Sequence, residues 1–138
     1  MESLRLARAA VRAAASKKAR DVVILDMSEA VTYTDLFVLL TGTTTRQTHA
    51  IAEAVRRGLR ESGARPVRAE GERAGEWILL DYLDVVVHIF TPAARSFYRL
   101  ESLWGDVPRC FPDEDHPERE WQFALEDENL IHREEESA

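Results

Sequence analysis

Cysteine is almost missing from this chain of 138 residues: Cys110 stands alone. One thiol cannot close an intrachain disulfide, so the expected setting is the reducing cytoplasm. No run of about 18 apolar residues occurs, the length a membrane-spanning helix requires. The N-terminal MESLRLARAAVRAAASKKAR carries arginines through its apolar stretch, unlike the unbroken core of a secretory leader. The four histidines, His49, His88, His116 and His132, show no ligand spacing, and with one cysteine there is no zinc signature. No Ser–His–acid set follows from spacing, and no internal repeat is visible. Glycine and proline are sparse, at 6 and 5 residues, so each becomes informative punctuation.

Net positive charge is also lacking. The chain carries −7, and the excess is local: residues 1–106 hold 15 Lys/Arg against 14 Asp/Glu, residues 107–138 hold 3 against 11. This argues against duplex DNA as the main ligand, whose affinity rests on basic groups neutralising phosphates. A local basic patch for RNA stays compatible. The division predicts one domain over 1–106 and an acidic tail over 107–138, interrupted by Trp121, Phe123, Leu125, Leu130 and Ile131, so that part of it docks on the body.

The elements read as α-β-β-α-β-β-β-α, an α/β layer fold with a mixed sheet of about five strands. An Ala-rich helix covers 2–19 with Leu4, Ala7, Val11 and Ala14 on one stripe. Val22–Leu25 and Asp35–Thr41 are apolar strands of the kind covered on both faces. Thr44 and Gln47 form a capping box opening a second helix. That helix buries Ile51, Ala54, Val55, Gly58 and Leu59, faces Arg56, Arg57 and Arg60 outward, and ends at Gly63. Arg65–Glu70 is a third strand, near an edge because Pro66 leads it. Glu76–Tyr82 and Asp84–Phe90 form an antiparallel hairpin. Thr91-Pro92 starts a last helix carrying Phe97, Leu100, Leu103 and Trp104 up to Gly105.

The hairpin holds the most specific information. Alternation puts Trp77, Leu79, Asp81, Val86, His88 and Phe90 on one face. Ile78, Leu80, Tyr82, Val85, Val87 and Ile89, almost all aliphatic, lie on the other and make the better core. Two readings of the first face stay open. It is an interface, since aromatic anchors beside polar groups typify binding hot spots, or it is a second core with His88 as a hydrogen-bonded buried histidine.

Five blocks in order resemble the ribosomal silencing factor family, also called Iojap-type. They are Lys18–Asp26, Asp35–Val38, Thr41–Gln47, Gly75–Phe90 and Arg95–Asp106. The resemblance covers about 4–107 and departs from the family at Leu83, where glycine is usual. It implies a nucleotidyltransferase-like topology without the catalytic motif, no enzyme activity, and no metal or cofactor. The implied function is binding of the large ribosomal subunit at its fourteenth protein, blocking the small subunit sterically and repressing translation in starvation. On that reading Trp77 is the central anchor and Leu79, Val86 and Phe90 supply apolar area. Asp81 and His88 fix register, and Tyr98 extends the patch. Peripheral contact with ribosomal RNA and a homodimer off the ribosome are further partner expectations.

Rival readings are weaker. A metal-dependent transferase needs converging carboxylates, but Asp81 and Asp84 bracket a turn, and the Gly-Ser element with Asp-x-Asp is absent. Thr41-Gly-Thr-Thr-Thr has one glycine and no P-loop lysine, so capping explains it better. Asp113–His116 lies between prolines in the acidic segment and reads as a solvated charge run. An RNA-binding assembly factor would use Arg5, Arg8, Arg12, Lys17 and Lys18 with Arg56, Arg57 and Arg60, although ordinary solvated helix faces account for them too.

Overall fold

The computed structural model describes residues 2–125; Leu130, Ile131 and His132 lie outside the described residues. The elements are α1 (Glu2–Ala15), β1 (Arg20–Asp26), β2 (Leu36–Thr41), α2 (Thr45–Glu61), β3 (Arg68–Glu70), β4 (Trp77–Asp81), β5 (Val85–Phe90), α3 (Pro92–Tyr98), α4 (Leu100–Leu103) and β6 (Arg109–Cys110). The strands form one mixed sheet in the order β3-β4-β5-β2-β1-β6. Only β2 and β5 run parallel; the other pairs are antiparallel.

The central strand dictates the layering. Every residue of β2 is buried, so both faces need a cover. Leu36, Val38 and Leu40 meet α1 and α2 through Ala7, Ala10, Val11, Ile51, Val55 and Leu59. Phe37 and Leu39 face the other way, with Val86, Phe90, Ala94 and Val107. The first cover is two long antiparallel helices. Their close approach comes from small side chains: a Cβ on Gly58 would lie 3.0 Å from that of Ala13. The second cover is two short helices and the chain beyond them.

Gln47 fastens the first cover. Thr44 Oγ1 accepts the Gln47 N–H at 3.1 Å, while Gln47 Oε1 accepts from the N–H and hydroxyl of Thr43 at 2.6 and 2.7 Å. The return bond of the capping box thus reaches one residue further back than expected. Gln47 Nε2 donates to the carbonyls of Lys17 and Lys18, tying the start of α2 to the end of α1. At the other end of α2, Gly63 has φ +89°, and Ala64 N–H donates to Leu59 O. That bond and the left-handed residue are the glycine termination expected from sequence.

Four boundaries differ from the sequence reading. Helix α1 ends at Ala15, not 19, because Lys18 adopts φ 62° and Ala19 N–H turns back to Ala14 O; a lysine fills a place where glycine would have been the signal. Strand β3 keeps only Arg68–Glu70. The last helix is broken at Arg99 (φ 49°, ψ 49°) into α3 and α4. The sheet has six strands rather than five, because the segment expected to be tail adds β6: Ile24 pairs with Cys110, and Asp26 N–H donates to Pro108 O. Trp121 is buried against α1 with the Arg8 guanidinium 4.8 Å above its ring, as expected of a docking tail residue.

The β4–β5 hairpin closes at Leu83, which has φ 70°. Leu83 N–H donates to Asp81 Oδ1 at 2.8 Å, and Asp84 N–H to Tyr82 O at 3.0 Å. A branched side chain in this region costs about 1–2 kcal/mol, against about 0.5–1 kcal/mol of extra chain entropy for glycine. Leu83 is exposed, so little packing is lost on its removal. Leu83→Gly is therefore expected to raise stability by about 0.5–1 kcal/mol, seen as a higher urea midpoint at unchanged slope. A lower midpoint would mean that the leucine has a packing role.

Candidate functional site

An aromatic chain runs from the core to the surface on the thinly covered side. Phe37 of β2 meets His88 of β5 edge-on, ring centroids 4.7 Å apart. Trp77 of β4 donates its indole N–H to His88 Nδ1 at 3.1 Å. The indole stacks on Phe90 at 5.2 Å and meets Tyr98 at 4.6 Å. Tyr98 meets Phe97 edge-on at 5.0 Å. Alternation along β4 and β5 and the register Trp77↔Phe90, Leu79↔His88 put the inner members side by side.

The six hairpin residues divide by depth. Val86, His88 and Phe90 are buried under the chain's own α3 and its neighbours. In this conformation Val86 and Phe90, expected to supply apolar area, and His88, expected to fix register, lie beneath the surface and support it. Trp77 and Leu79 are half-buried and packed against the same cluster. Asp81 is half-buried and already engaged, with the Leu83 N–H and with Arg68 at 3.5 Å. Tyr98 is 51% exposed. The second-core reading thus holds for the inner residues, with an aromatic rim above them.

Two apolar residues expected on the last helix are on the outside. Phe97 is 78% exposed and Leu103 is 69% exposed. The break at Arg99 resets the helical phase, so side chains across 92–104 do not share one stripe. Leu100 and Trp104 do pack on the second core. Phe97 continues the aromatic group of Trp77 and Tyr98, and Leu103 adds a second exposed apolar side chain to the thin cover.

Two arginines hold this cover in place. Arg95, mostly buried, donates to Thr41 Oγ1 at 2.8 Å and to Glu101 Oε1 at 3.0 Å, linking α3, α4 and the end of β2. Arg109 of β6 is buried and donates to the carbonyls of Glu101 and Trp104 at 3.2 and 2.8 Å. A cation at the last carbonyls of α4 is the favourable arrangement.

The rival sites have structural explanations. Asp113 Oδ1 accepts the N–H groups of Asp115 and His116, and Oδ2 accepts from Arg119, so Asp113–His116 is a turn. Cys110 is buried, which pushes its thiol up to about 11. Among the described residues no three His, Cys, Asp or Glu side chains are grouped to hold a metal ion, and no helix is long and apolar enough to cross a membrane.

The model of a family described as "Ribosomal silencing factor during starvation" matches residues 1–137. The chain belongs to this family. Among curated relatives, the ribosomal silencing factor of Chromobacterium violaceum is 38% identical over 111 residues, 80% of this chain and 91% of that protein. A mouse protein named "Mitochondrial assembly of ribosomal large subunit protein 1" is 33% identical over 101 residues, 71% of this chain and 43% of that one. A crystal structure of a Chromobacterium violaceum protein superposes with a TM-score of 0.74 at 38% identity, covering 76% of this chain and 88% of that one. The silencing-factor fold expected from the sequence blocks is therefore present, and the match extends past the residue 107 at which the resemblance was expected to end.

Burial, with the Arg95 guanidinium nearby, pushes His88 down to about 3 from 6.5. The ring stays neutral and keeps Nδ1 as acceptor for Trp77. Because the folded value lies below the unfolded one, this stability is present above pH 6.5 and is lost as pH falls towards 3. His88 is expected to contribute a slope of about 1.4 kcal/mol per pH unit between pH 6 and 4. His88→Gln keeps an acceptor but cannot titrate, so urea unfolding across that range should show a flatter profile. Parallel profiles would show that His88 takes up its proton in the folded state.

Proposed function

We propose that this silencing-factor chain binds the large ribosomal subunit through the rim of Trp77, Leu79, Phe97, Tyr98 and Leu103, and that it acts by occupying space. The partner on this reading is the fourteenth protein of the subunit, at the surface where the small subunit docks. Occupation prevents joining and represses translation in the cytoplasm under nutrient limitation. The observation that carries the proposal is the exposed aromatic rim held on a rigid base. Tyr98 and Phe97 are presented outward while Trp77 is locked beneath by Phe90 and His88. Family membership and the mouse relative's name, which refers to the large subunit, support the choice of partner.

No catalytic step is needed. A standard interface of roughly 800 Å² per partner suffices to exclude a competing subunit. Affinity then comes from a few aromatic anchors around which the rest of the patch excludes water. Rigid aromatics lose little conformational entropy when they dock, which favours them over long flexible chains.

Sedimentation with purified bacterial large subunits tests this. The wild-type chain should travel with the large subunit and lower the yield of joined particles. Phe97→Ser, whose ring meets only Tyr98 among the aromatic contacts, should leave the fold intact. It and Trp77→Ala should each weaken binding by about 2 kcal/mol, roughly thirtyfold. Folded variants that co-sediment at wild-type strength would remove the rim from the interface. Failure of the wild-type chain to reduce subunit joining would reject the steric mechanism.

A further inference from the structure

The opposite side of the sheet has the reverse chemistry. The two covering helices with the residues that follow them, 2–20 and 45–65, hold eleven Lys/Arg against three Asp/Glu. The remainder of the chain holds seven against twenty-two. A chain of net −7 therefore concentrates a surplus of eight positive charges on one two-helix layer. Helix stability does not require this. Arg46 sits in the first turn of α2, which has no acidic residue, where the helix dipole disfavours a cation.

Where α1 and α2 lie side by side they leave a groove of about 420 Å³. Its floor is small (Ala9, Ala13, Ala54, Gly58), and Arg12, Lys17 and Arg57 rise from its rims with Glu61 as the one acid among the lining residues. Arg57 has Glu53 at 3.0 Å, a pair exposed on both sides. Arg12 and Lys17 are exposed and make no ion pair among the described residues. Such long side chains over a shallow floor suit a ligand with repeated negative charges. Neither helix contains Phe, Tyr or Trp, so nothing in the layer stacks unpaired bases, as single-strand readers do.

We infer that this groove binds the phosphate backbone of double-helical RNA, with Arg12, Lys17 and Arg57 as the contacting cations. RNA is the duplex chosen because the family is ribosomal. The contact is independent of base sequence, since guanidinium and ammonium groups on phosphates position a protein without reading bases. It lies across the sheet from the aromatic rim, so both surfaces can be engaged at once.

Fluorescence anisotropy with a labelled RNA duplex of mixed sequence, at 50 and 200 mM KCl, reads the contact directly. The intact chain should bind in a strongly salt-dependent way and without preference between sequences. The triple variant Arg12→Gln, Lys17→Gln, Arg57→Gln should bind at least about tenfold more weakly, with a salt slope shallower by about one per cation removed. Unchanged urea unfolding confirms that the variant is folded. Phe97→Ser should bind the duplex like wild type while binding the large subunit more weakly, which separates this inference from the rim proposal. Equal duplex binding by wild type and triple variant would overturn the inference. So would binding of poly-L-glutamate at these residues with no duplex binding, because the groove would then be a protein-docking surface.

Discussion

A fully buried central strand is the constraint from which the architecture follows. Strand β2 carries apolar side chains on both faces, so its pairing with β5 is stable only if water is removed from both sides. On one side the requirement is met by two long helices with small contact residues. On the other it is met by seven- and four-residue helices and the chain around Val107. A cover this short cannot bury all its own apolar side chains. Phe97, Tyr98 and Leu103 are left outside as a consequence, and the surface proposed for binding is the outer half of an incomplete layer.

The thin cover is held by directional bonds more than by area. Short helices have little intrinsic stability and depend on tertiary contacts. Arg95 and Arg109 supply them from two directions, one to Thr41 and Glu101, the other to the last carbonyls of α4. The second of these comes from β6, so the segment after residue 107 takes part in placing the rim. The Trp77–His88 bond works at the opposite end of the aromatic chain. It turns the indole N–H inward to a ring that burial keeps neutral, and the indole is oriented before any partner arrives. Pre-ordering of this kind lowers the entropy lost on docking.

Legibility in the sequence followed signal strength. Continuous apolar strands, the Thr44 cap, the Gly63 termination and the Thr91-Pro92 start were readable because each has a local chemical cause. The break at Arg99 and the end of α1 at Lys18 were not, because both put a long charged residue at positive φ, where glycine would have been the signal. Strand β6 escaped for another reason: two residues have no periodicity, and their pairing with β1 is purely tertiary. The two faces of the hairpin were legible, but alternation assigns a face and not a depth. Only the placement of α3 and α4 over β5 separates the buried Val86, His88 and Phe90 from the rim above them. The phase change at Arg99 also left the exposure of Phe97 and Leu103 unread.

The sheet then acts as a separator between two chemically different surfaces. Apolar rings lie on one side, where losing water is favourable, and a surplus of exposed cations lies on the other, where the attraction is long-ranged and screened by salt. A ribosomal target offers both kinds of complement, protein surface and phosphate backbone, and an otherwise acidic chain would be repelled by the second. Concentrating the cations on α1 and α2 resolves that conflict without changing the net charge. Charge of this kind acts mainly on the rate and orientation of encounter, whereas buried aromatic anchors govern how long a complex lasts. On the two proposals made above, the faces divide the task, with the helical layer governing approach and the rim governing residence.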